Sequence, residues 1–359
     1  MLYSCSPGLG STARASRASS DHENVTVDIH CHVYTPAADN AVADSEAIGP
    51  EDMFTFANQA TRDVNRAQME TINSKLTSIE ERLKDMDSMD IDIQALSPAP
   101  PQYYYNVEPE LGLLSSQIIN NRIAEIVSEY PDRFVGLGTV PMQEPRLAVT
   151  ELERMINELG MRGVEICTNV AGEELSSDRF KNFFAKAEEL DALIFMHPNG
   201  FSEGRRLADH YLINVIGNPL DSTVAVSHLI FGGVLDDYPD LKICVAHGGG
   251  FLPAYSGRMD HAHGARKDCR RCTEHPPTTY LKRLYFDTVV FTHHQLEYLV
   301  NLYGADHILL GTDYPYDMGM QDPVGFVESS ANLDQKQKVA IAGGNAAQLL
   351  KIGTGVSHE

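Results

Sequence analysis

Eight short apolar runs that alternate with segments of helical periodicity constrain the fold of this chain more than any other feature. The runs cover residues 25–34, 91–97, 134–140, 163–168, 192–197, 241–247, 284–288 and 307–313. Between them lie amphipathic stretches such as LAVTELERMINELG and RFKNFFAKAEELD, whose apolar residues recur about every 3.6 positions. Strands that alternate with helices predict a parallel α/β sheet, and eight of them predict a (β/α)8 TIM barrel.

The doubly wound sheet is the other common arrangement of alternating strands and helices. It predicts a glycine-rich phosphate loop after the first strand. In this sequence the first run ends in His30, Cys31 and His32 instead, and neither GLGTVP nor AHGGGF has the GxGxxG spacing. We therefore adopt the barrel as the predicted fold.

One barrel domain is expected over residues 25–352, with a disordered extension at 1–24 and a C-terminal tail at 353–359. Residues 37–84 are long and acidic for a connection, and their helical character from about residue 52 predicts a helical cap insertion after strand 1. A second excursion, residues 201–240, is expected to complete the pocket or to form a subunit interface. The first 24 residues lack the apolar segment of a secretory signal, so none is expected.

The charge and the cysteine usage exclude several classes of protein. A formal net charge of −22 repels phosphate backbones, so we expect no nucleic-acid partner. No apolar run is long enough to predict a membrane span. Six cysteines in 359 residues form no disulfide framework, which predicts reduced thiols and a cytoplasmic protein. Cys269 and Cys272 form a CxxC pair without a second pair, which favours a loop or helix turn over a zinc knuckle.

Polar side chains stand at the ends of four of the predicted strands. His30 and His32 end the first strand, His197 the fifth, His247 the sixth and Asp313 the eighth. Because the strands of a parallel barrel all open on the same face at their carboxyl ends, these side chains are expected to converge. Three neutral imidazoles and a carboxylate suit Zn²⁺ and leave a coordination position for water. The sequence therefore predicts a metal site at the mouth of the barrel.

The motifs that carry these residues resemble those of the amidohydrolase superfamily. The HxH pair, AHGGG and GTDYP are its recurring features, and the longer stretches YPDRFVGLGTVPMQEPRLAV and GGVLDDYPDLKICVAHGGGFLPAYSGRMDH extend the likeness over roughly residues 27–350. The sequence is most similar to the branch around 2-amino-3-carboxymuconate-6-semialdehyde decarboxylase. That branch includes nonoxidative decarboxylases of aromatic acids such as γ-resorcylate and 5-carboxyvanillate.

The resemblance implies a role for each matching residue. It implies one divalent metal ion, zinc before manganese, on the ligands His30, His32, His197 and Asp313. It makes His247 the catalytic base. For a decarboxylase we further expect Asp313, beside the metal, to act as a catalytic proton shuttle. The resemblance also makes Arg258, in AYSGRMDH, a substrate-binding residue that reaches a carboxylate across a homodimer interface. The alternatives are that Arg258 binds a carboxylate in its own pocket or forms a structural ion pair on a helix.

Strand four decides the expected number of metal ions. Many superfamily members bridge two metals with a carboxylated lysine at the end of this strand, whereas the sequence here is GVEICTN. One metal is therefore expected. Glu165 in this strand is interpreted as a hydrogen-bonding residue at the edge of the core, with a role behind the metal ligands as the alternative.

The sequence departs from the muconate semialdehyde enzyme upstream of strand two. No arginine stands near Asn73, where the resemblance places a second substrate-binding arginine, and Lys75 is a weak substitute. Strand two then leads into three consecutive tyrosines, of which we select Tyr104 as a residue that binds a planar substrate. Both features argue against the muconate semialdehyde itself as the substrate.

The sequence thus predicts a metal-dependent nonoxidative decarboxylase, a carbon–carbon lyase that acts on a small unsaturated or aromatic carboxylic acid. The alternative is a metal-dependent hydrolase or hydratase in which the same activated water attacks a lactone, an amide or a conjugated double bond. A non-catalytic barrel is disfavoured because every expected metal ligand is present.

Overall fold

A computed structural model describes residues 25–46 and 55–353 of the protein. Within these ranges, eight parallel strands form one sheet in which the order of neighbours follows the order in the chain. The strands are β1 Val27–Val33, β2 Ile93–Pro98, β3 Phe134–Gly138, β4 Gly163–Ile166, β5 Leu193–Met196, β6 Lys242–Val245, β7 Tyr285–Asp287 and β8 Ile308–Leu309. All eight predicted strands are confirmed, although most end one to four residues earlier than the apolar runs.

The first and last strands lie side by side and bring the sheet close to a closed barrel. The amide of Ile29 donates to the carbonyl of Leu310 at 2.9 Å, and the amide of His32 donates to the carbonyl of Tyr314 at 2.9 Å. The prediction of a (β/α)8 TIM barrel is therefore confirmed.

Helices connect the strands and cover the outside of the sheet. Their bounds are α1 Pro36–Val42, α2 Gln59–Thr77, α3 Ile79–Ser88, α4 Pro109–Glu129, α5 Pro145–Asn157, α6 Lys181–Glu189, α7 Asn218–Phe231, α8 Val234–Asp237, α9 Leu252–Ala265, α10 Pro277–Leu281, α11 His293–Tyr303, α12 Pro323–Glu328, α13 Gln335–Val339 and α14 Asn345–Leu349. Both amphipathic stretches named above are helical. The turns after them contain Gly160 and Asp191 at φ of +68° and +53°.

The predicted insertion after strand 1 contains helices in its described part. Helix α1 from its second residue, all of helix α2 and the first six residues of helix α3 fall within residues 37–84. Ser78 joins α2 to α3, and its hydroxyl caps α3 by accepting from the amide of Glu81 at 3.3 Å. Residues 47–54, where the helical pattern was predicted to begin, and the predicted extension at 1–24 lie outside the described residues. The role of this insertion as a lid stays a prediction, as do the domain boundaries.

Two further predictions can be compared with the described chain. No helix within it is both long and apolar enough to cross a lipid bilayer. Cys269 lies in a single helical turn, Asp268–Arg270, and Cys272 lies in the loop that follows, both as free thiols. The CxxC pair therefore lies in a loop and turn, as predicted.

Candidate metal centre

Three histidines and one aspartate meet at the carboxyl ends of the barrel strands. One ligand atom from each of His30, His32, His197 and Asp313 lies within 4.8 Å of the others. The Oδ1 atom of Asp313 lies 3.4 Å from Nε2 of His30 and 3.2 Å from Nε2 of His32. All four side chains are buried, with Asp313 the most exposed at 6%. The structure thus brings together the four residues predicted as metal ligands.

Strand geometry explains how the chain places these groups. Alternation along β1 directs His30 and His32 to the same side, and their ring centroids lie 5.1 Å apart. The His197 ring, one residue after β5, lies 4.9 Å from both of them. Asp313 has a φ of +58°, an uncommon conformation for a residue with a side chain. Such backbone strain persists where the surrounding structure fixes it, commonly at functional sites.

The chemistry of the cluster fits a divalent cation. Among the described residues, Nε2 of His30, Nε2 of His32 and both ring nitrogens of His197 are buried without a hydrogen-bond partner. Burial of unpaired polar groups is costly, and it is rare in folded proteins. Several imidazole nitrogens that converge on one carboxylate oxygen are the donor set of a metal site. The residues present therefore fit a divalent metal ion.

Asp287, at the end of β7, contacts the His30 ring on the side that faces away from Asp313. This residue was not identified from the sequence. Its Oδ2 atom lies 2.6 Å from Nδ1 of His30, and it accepts from the backbone amide of His247 at 2.9 Å. Its Oδ1 atom accepts from the amide of Gly248 at 2.8 Å. A carboxylate behind a ligating histidine fixes the tautomer and the orientation of the ring. Its place at a strand end was the signal that could have identified it.

The charges within the cluster compensate one another. Burial disfavours a charged His30, but the carboxylates of Asp313 and Asp287 outweigh burial and raise the pKa of His30 to about 10. Burial would raise the pKa of Asp313, yet the neighbouring His30 and His247 hold that pKa well below its usual range. Burial and the adjacent histidines lower the pKa of His197 well below its usual value, so its imidazole is neutral. A bound cation would replace the proton that His30 otherwise carries.

His247 lies at the open side of the cluster. Its Nε2 atom is 3.7 Å from Oδ2 of Asp313, and its ring centroid is 5.0 Å from that of His197. The side chain is 14% exposed, and the residue has a φ of +57°. An imidazole beside the cluster and in reach of solvent can exchange protons with a bound molecule.

Glu165 in β4 lies behind the ligands. The hydroxyl of Tyr103 donates to its Oε1 atom, and its Oε2 atom lies 3.9 Å from Nδ1 of His32. Burial raises the pKa of this carboxyl. Glu165 therefore makes a buried hydrogen bond, as interpreted from the sequence, and it also lies close to the ring of a predicted ligand.

The residues that the sequence analysis selected for substrate binding lie outside the histidine–aspartate cluster. The hydroxyl of Tyr104 donates to the carboxylate of Asp39 in α1. Lys75 forms an ion pair with Asp85 at 2.7 Å. Arg258 lies exposed on α9, and its guanidinium makes no hydrogen bond or ion pair with any residue in the described ranges. The substrate-binding roles of Tyr104 and Arg258 stay predictions.

Comparison with known families settles the classification of the chain. The family model described as amidohydrolase matches residues 27–352, which is most of the sequence. The chain belongs to the amidohydrolase family. The family resemblance of the HxH, AHGGG and GTDYP motifs is thereby confirmed.

Two curated relatives and one solved structure illustrate its place in the amidohydrolase family. A 2-amino-3-carboxymuconate-6-semialdehyde decarboxylase from Dictyostelium discoideum is 36% identical over 280 residues, 78% of this chain and 78% of that protein. A γ-resorcylate decarboxylase from Rhodococcus jostii is 26% identical over 308 residues, 78% of this chain and 90% of that protein. A crystal structure of a dihydroxybenzoic acid decarboxylase from Polaromonas, with bound manganese and 2-nitroresorcinol, aligns with a TM-score of 0.77 at 24% identity, over 91% of this chain and 97% of that one.

Proposed function

We propose that this amidohydrolase is a metal-dependent nonoxidative decarboxylase of a small unsaturated or aromatic carboxylic acid. The observation that carries the proposal is the buried cluster of three histidines and Asp313, with His247 at 3.7 Å from that aspartate. The two curated relatives described above are decarboxylases, and they cover most of this chain. Their reactions support a carbon–carbon lyase over other amidohydrolase chemistries.

The four clustered side chains are the proposed ligands of one divalent ion. Zn²⁺ is the proposed metal because neutral imidazoles with a single carboxylate are its usual ligands. Mn²⁺ is the alternative, supported by the ion bound in the Polaromonas structure. A bound ion would supply positive charge that orients the substrate's carboxylate and activates water. Metal analysis of purified protein distinguishes the two.

His247 and Asp313 are the proposed proton carriers. Loss of CO₂ breaks a carbon–carbon bond and leaves its electron pair on the substrate carbon, which must then accept a proton. Nε2 of His247 lies 3.7 Å from Oδ2 of Asp313, and these two groups are the proposed source of that proton. Asp313 is buried, whereas the His247 side chain is 14% exposed and can exchange the proton with solvent.

Arg258 is the proposed partner of a substrate carboxylate, in a homodimer. The exposed guanidinium lies on the helix that begins five residues after His247, and it has no partner within the described chain. A guanidinium can bind a carboxylate in bidentate fashion. Mixing inactive His247→Ala and Arg258→Ala subunits tests the idea, because hybrid dimers regain activity only if each site uses both subunits.

Tyr104 is proposed to border a planar substrate at the mouth of the barrel. The residue is half-buried in the loop after β2, and its neighbour Tyr103 lies beside Glu165, behind the metal ligands. The Tyr104→Phe substitution keeps the aromatic surface and removes the hydroxyl. An unchanged KM for this variant, with a raised KM for Tyr104→Ala, is the expected pattern.

The decisive experiment for the reaction is mass spectrometry of metal-loaded protein incubated with hydroxybenzoates, muconates and lactones. The proposal predicts loss of CO₂ from at least one acid, with no conversion by metal-depleted protein. The His247→Ala variant serves as the control for conversion that does not depend on the site. Absence of CO₂ release across the whole panel would contradict the proposal.

Hydration is the second candidate function, and it uses the same cluster. A curated 2-keto-4-carboxy-3-hexenedioate hydratase from Sphingobium is 28% identical over 256 residues. In this case the activated water adds to a conjugated double bond and the carbon skeleton stays intact. Gain of water in the same experiment, without release of CO₂, would assign the protein to this reaction.

A further inference from the structure

Arg82 is a fully buried arginine on helix α3, which contributes to the insertion after β1. Its Nη2 group donates to the backbone carbonyl of His32, and its Nη1 group donates to Oε1 of Gln94 at 3.0 Å. Its guanidinium lies 4.8 Å from the ring centre of Tyr314, the residue after Asp313. A single buried cation therefore contacts two of the three segments that carry proposed metal ligands, β1 and the loop after β8.

The contact through Gln94 extends to further residues of the same two segments. The Nε2 group of Gln94 donates to Oδ2 of Asp28 at 2.9 Å. Asp28 in turn accepts from the amide of His30 at 3.1 Å, and from the amide and hydroxyl of Thr312 at 3.0 and 2.7 Å. The network from Arg82 thus ends on the backbone of His30 and on the residue before Asp313.

Helix α3 has a second attachment to the same loop. The hydroxyl of Tyr314 donates to Oδ2 of Asp85 at 2.8 Å, and Lys75 donates to that same oxygen at 2.7 Å. Arg82 and Asp85, one turn apart on α3, therefore contact the ring and the hydroxyl of Tyr314, respectively. A displacement of this helix would move the loop that carries Asp313.

Burial of an arginine is expensive, and for stability alone an apolar residue of similar volume often serves as well. The fork of donors on a guanidinium fixes several acceptors at once, which an apolar side chain cannot do. We propose that Arg82 is a positioning residue that aligns the metal-ligating segments of β1 and the β8 loop, and couples metal binding to the docking of helix α3. This inference rests on the proposed metal centre and is independent of which reaction the centre performs.

The test compares metal affinity in two arginine variants. Arg82→Met removes the donors, and we expect the dissociation constants of Zn²⁺ and Mn²⁺, measured by chelator competition, to rise about tenfold or more. Arg82→Lys keeps the charge and one donor group, so its affinity should lie between those of Arg82→Met and the wild type.

Arg154 provides a control that does not contact helix α3. It donates to the carboxylate of Glu151 at 2.9 and 2.7 Å and to Oδ1 of Asn121 at 3.0 Å. Arg154→Met should lower thermal stability and leave metal affinity within about twofold of the wild type. An Arg82→Met protein that folds and binds metal as tightly as the wild type would overturn the proposal.

Hydrogen exchange of the wild-type protein gives a second, independent test. Coupling between two sites is reciprocal, so metal binding should slow amide exchange in residues 79–88 as well as in β1. Slower exchange in β1 alone would overturn the proposal, even if Arg82→Met fails to fold. Neither measurement uses catalytic activity, so a failure of the proposed decarboxylation leaves both results interpretable.

Discussion

The amino ends and the carboxyl ends of the barrel strands satisfy their polar groups in different ways. At the amino ends, the carboxylate of Asp92 accepts from the amide and the hydroxyl of Thr26 at 2.8 and 2.9 Å, and Arg133 donates to the carbonyl of Asp92. At the carboxyl ends, ring nitrogens of four histidines, His30, His32, His197 and His247, are buried without hydrogen bonds to any described residue. These amino-end groups are paired with one another, whereas the carboxyl end has unpaired polar groups that can hold an ion.

This difference agrees with the general rule for (β/α)8 barrels, in which active sites lie at the carboxyl-terminal face and residues at the amino-terminal face contribute to stability. Polar residues at the amino end are expected to influence stability and to leave turnover unchanged. Residues at the carboxyl end are expected to influence metal affinity and turnover. Substitutions at the two ends therefore provide a direct test of the comparison.

The largest effect is expected for His247→Ala. Loss of the proposed base should lower kcat by about 10²- to 10⁴-fold, because proton transfer by a positioned imidazole contributes that much. Metal content should stay near one ion per chain, since His247 is outside the proposed ligand set. Steady-state kinetics with metal analysis of the same sample measures both, and a fully active variant would remove His247 from the mechanism.

A smaller effect, on affinity, is expected for Asp287→Asn. The amide cannot supply the charge that fixes the His30 ring, so metal affinity should fall by about 10- to 100-fold. Asp260→Asn is the matched control, because this carboxylate accepts from the amide and hydroxyl of Thr278 at 2.9 and 2.7 Å and is not among the clustered metal-ligand residues. Equal metal dissociation constants for the two variants would contradict the role given to Asp287.

Removal of the metal should destabilise the protein. A ligand at a hundredfold excess over its Kd stabilises the folded state by about 2.7 kcal/mol, so metal-free protein should unfold at a lower temperature. The shift should disappear in His32→Ala, which lacks one proposed ligand. Thermal unfolding scans with and without Zn²⁺ provide the measurement, and identical midpoints for the wild type would count against a metal centre.

The smallest effect is expected at the amino end, for Asp191→Asn. Burial opposes the charge of Asp191, but hydrogen bonds from Lys242 and Lys351 hold its pKa below the ordinary value of 3.8. The carboxylate therefore contributes stability above about pH 4, and this contribution is lost as the pH falls through its folded pKa. Since the pairs are exposed, the loss at pH 7 should be about 0.5 kcal/mol.

Two measurements check the Asp191→Asn prediction. Urea unfolding of the variant and the wild type should differ at pH 7 and converge toward pH 3. Turnover and metal content at neutral pH should be those of the wild type. A loss of turnover in a folded Asp191→Asn variant would contradict the expectation that residues at the amino end affect stability alone.

The proposed ligands were predictable from sequence because each follows an apolar run that could be recognised as a strand. The alternation of β1 placed His30 and His32 on one side, and the parallel arrangement brought His197 and Asp313 to them. Asp287 follows the same rule and was overlooked. Its strand is the short run LYFDT, and no motif draws attention to it.

Other features depend on tertiary contacts that a sequence pattern does not reveal. In the helical stretch IEERLKDMD, Arg82 and Lys84 look alike, yet Arg82 is fully buried whereas the Lys84 side chain is 70% exposed. The positive φ of His247 and of Asp313 could not be predicted from the sequence either, because neither residue is a glycine. The environment proposed for Arg258 includes a second subunit, which a single chain does not contain.

The most direct measurement is a titration of metal-free protein with Zn²⁺ or Mn²⁺, in which bound metal and decarboxylation are followed together. If the histidine–aspartate cluster is the catalytic metal centre, turnover rises in proportion to bound metal and levels off at one ion per chain. A His197→Ala protein then neither retains the ion nor releases CO₂. Release of CO₂ by metal-free protein, or full activity in the His197→Ala protein, would contradict this account.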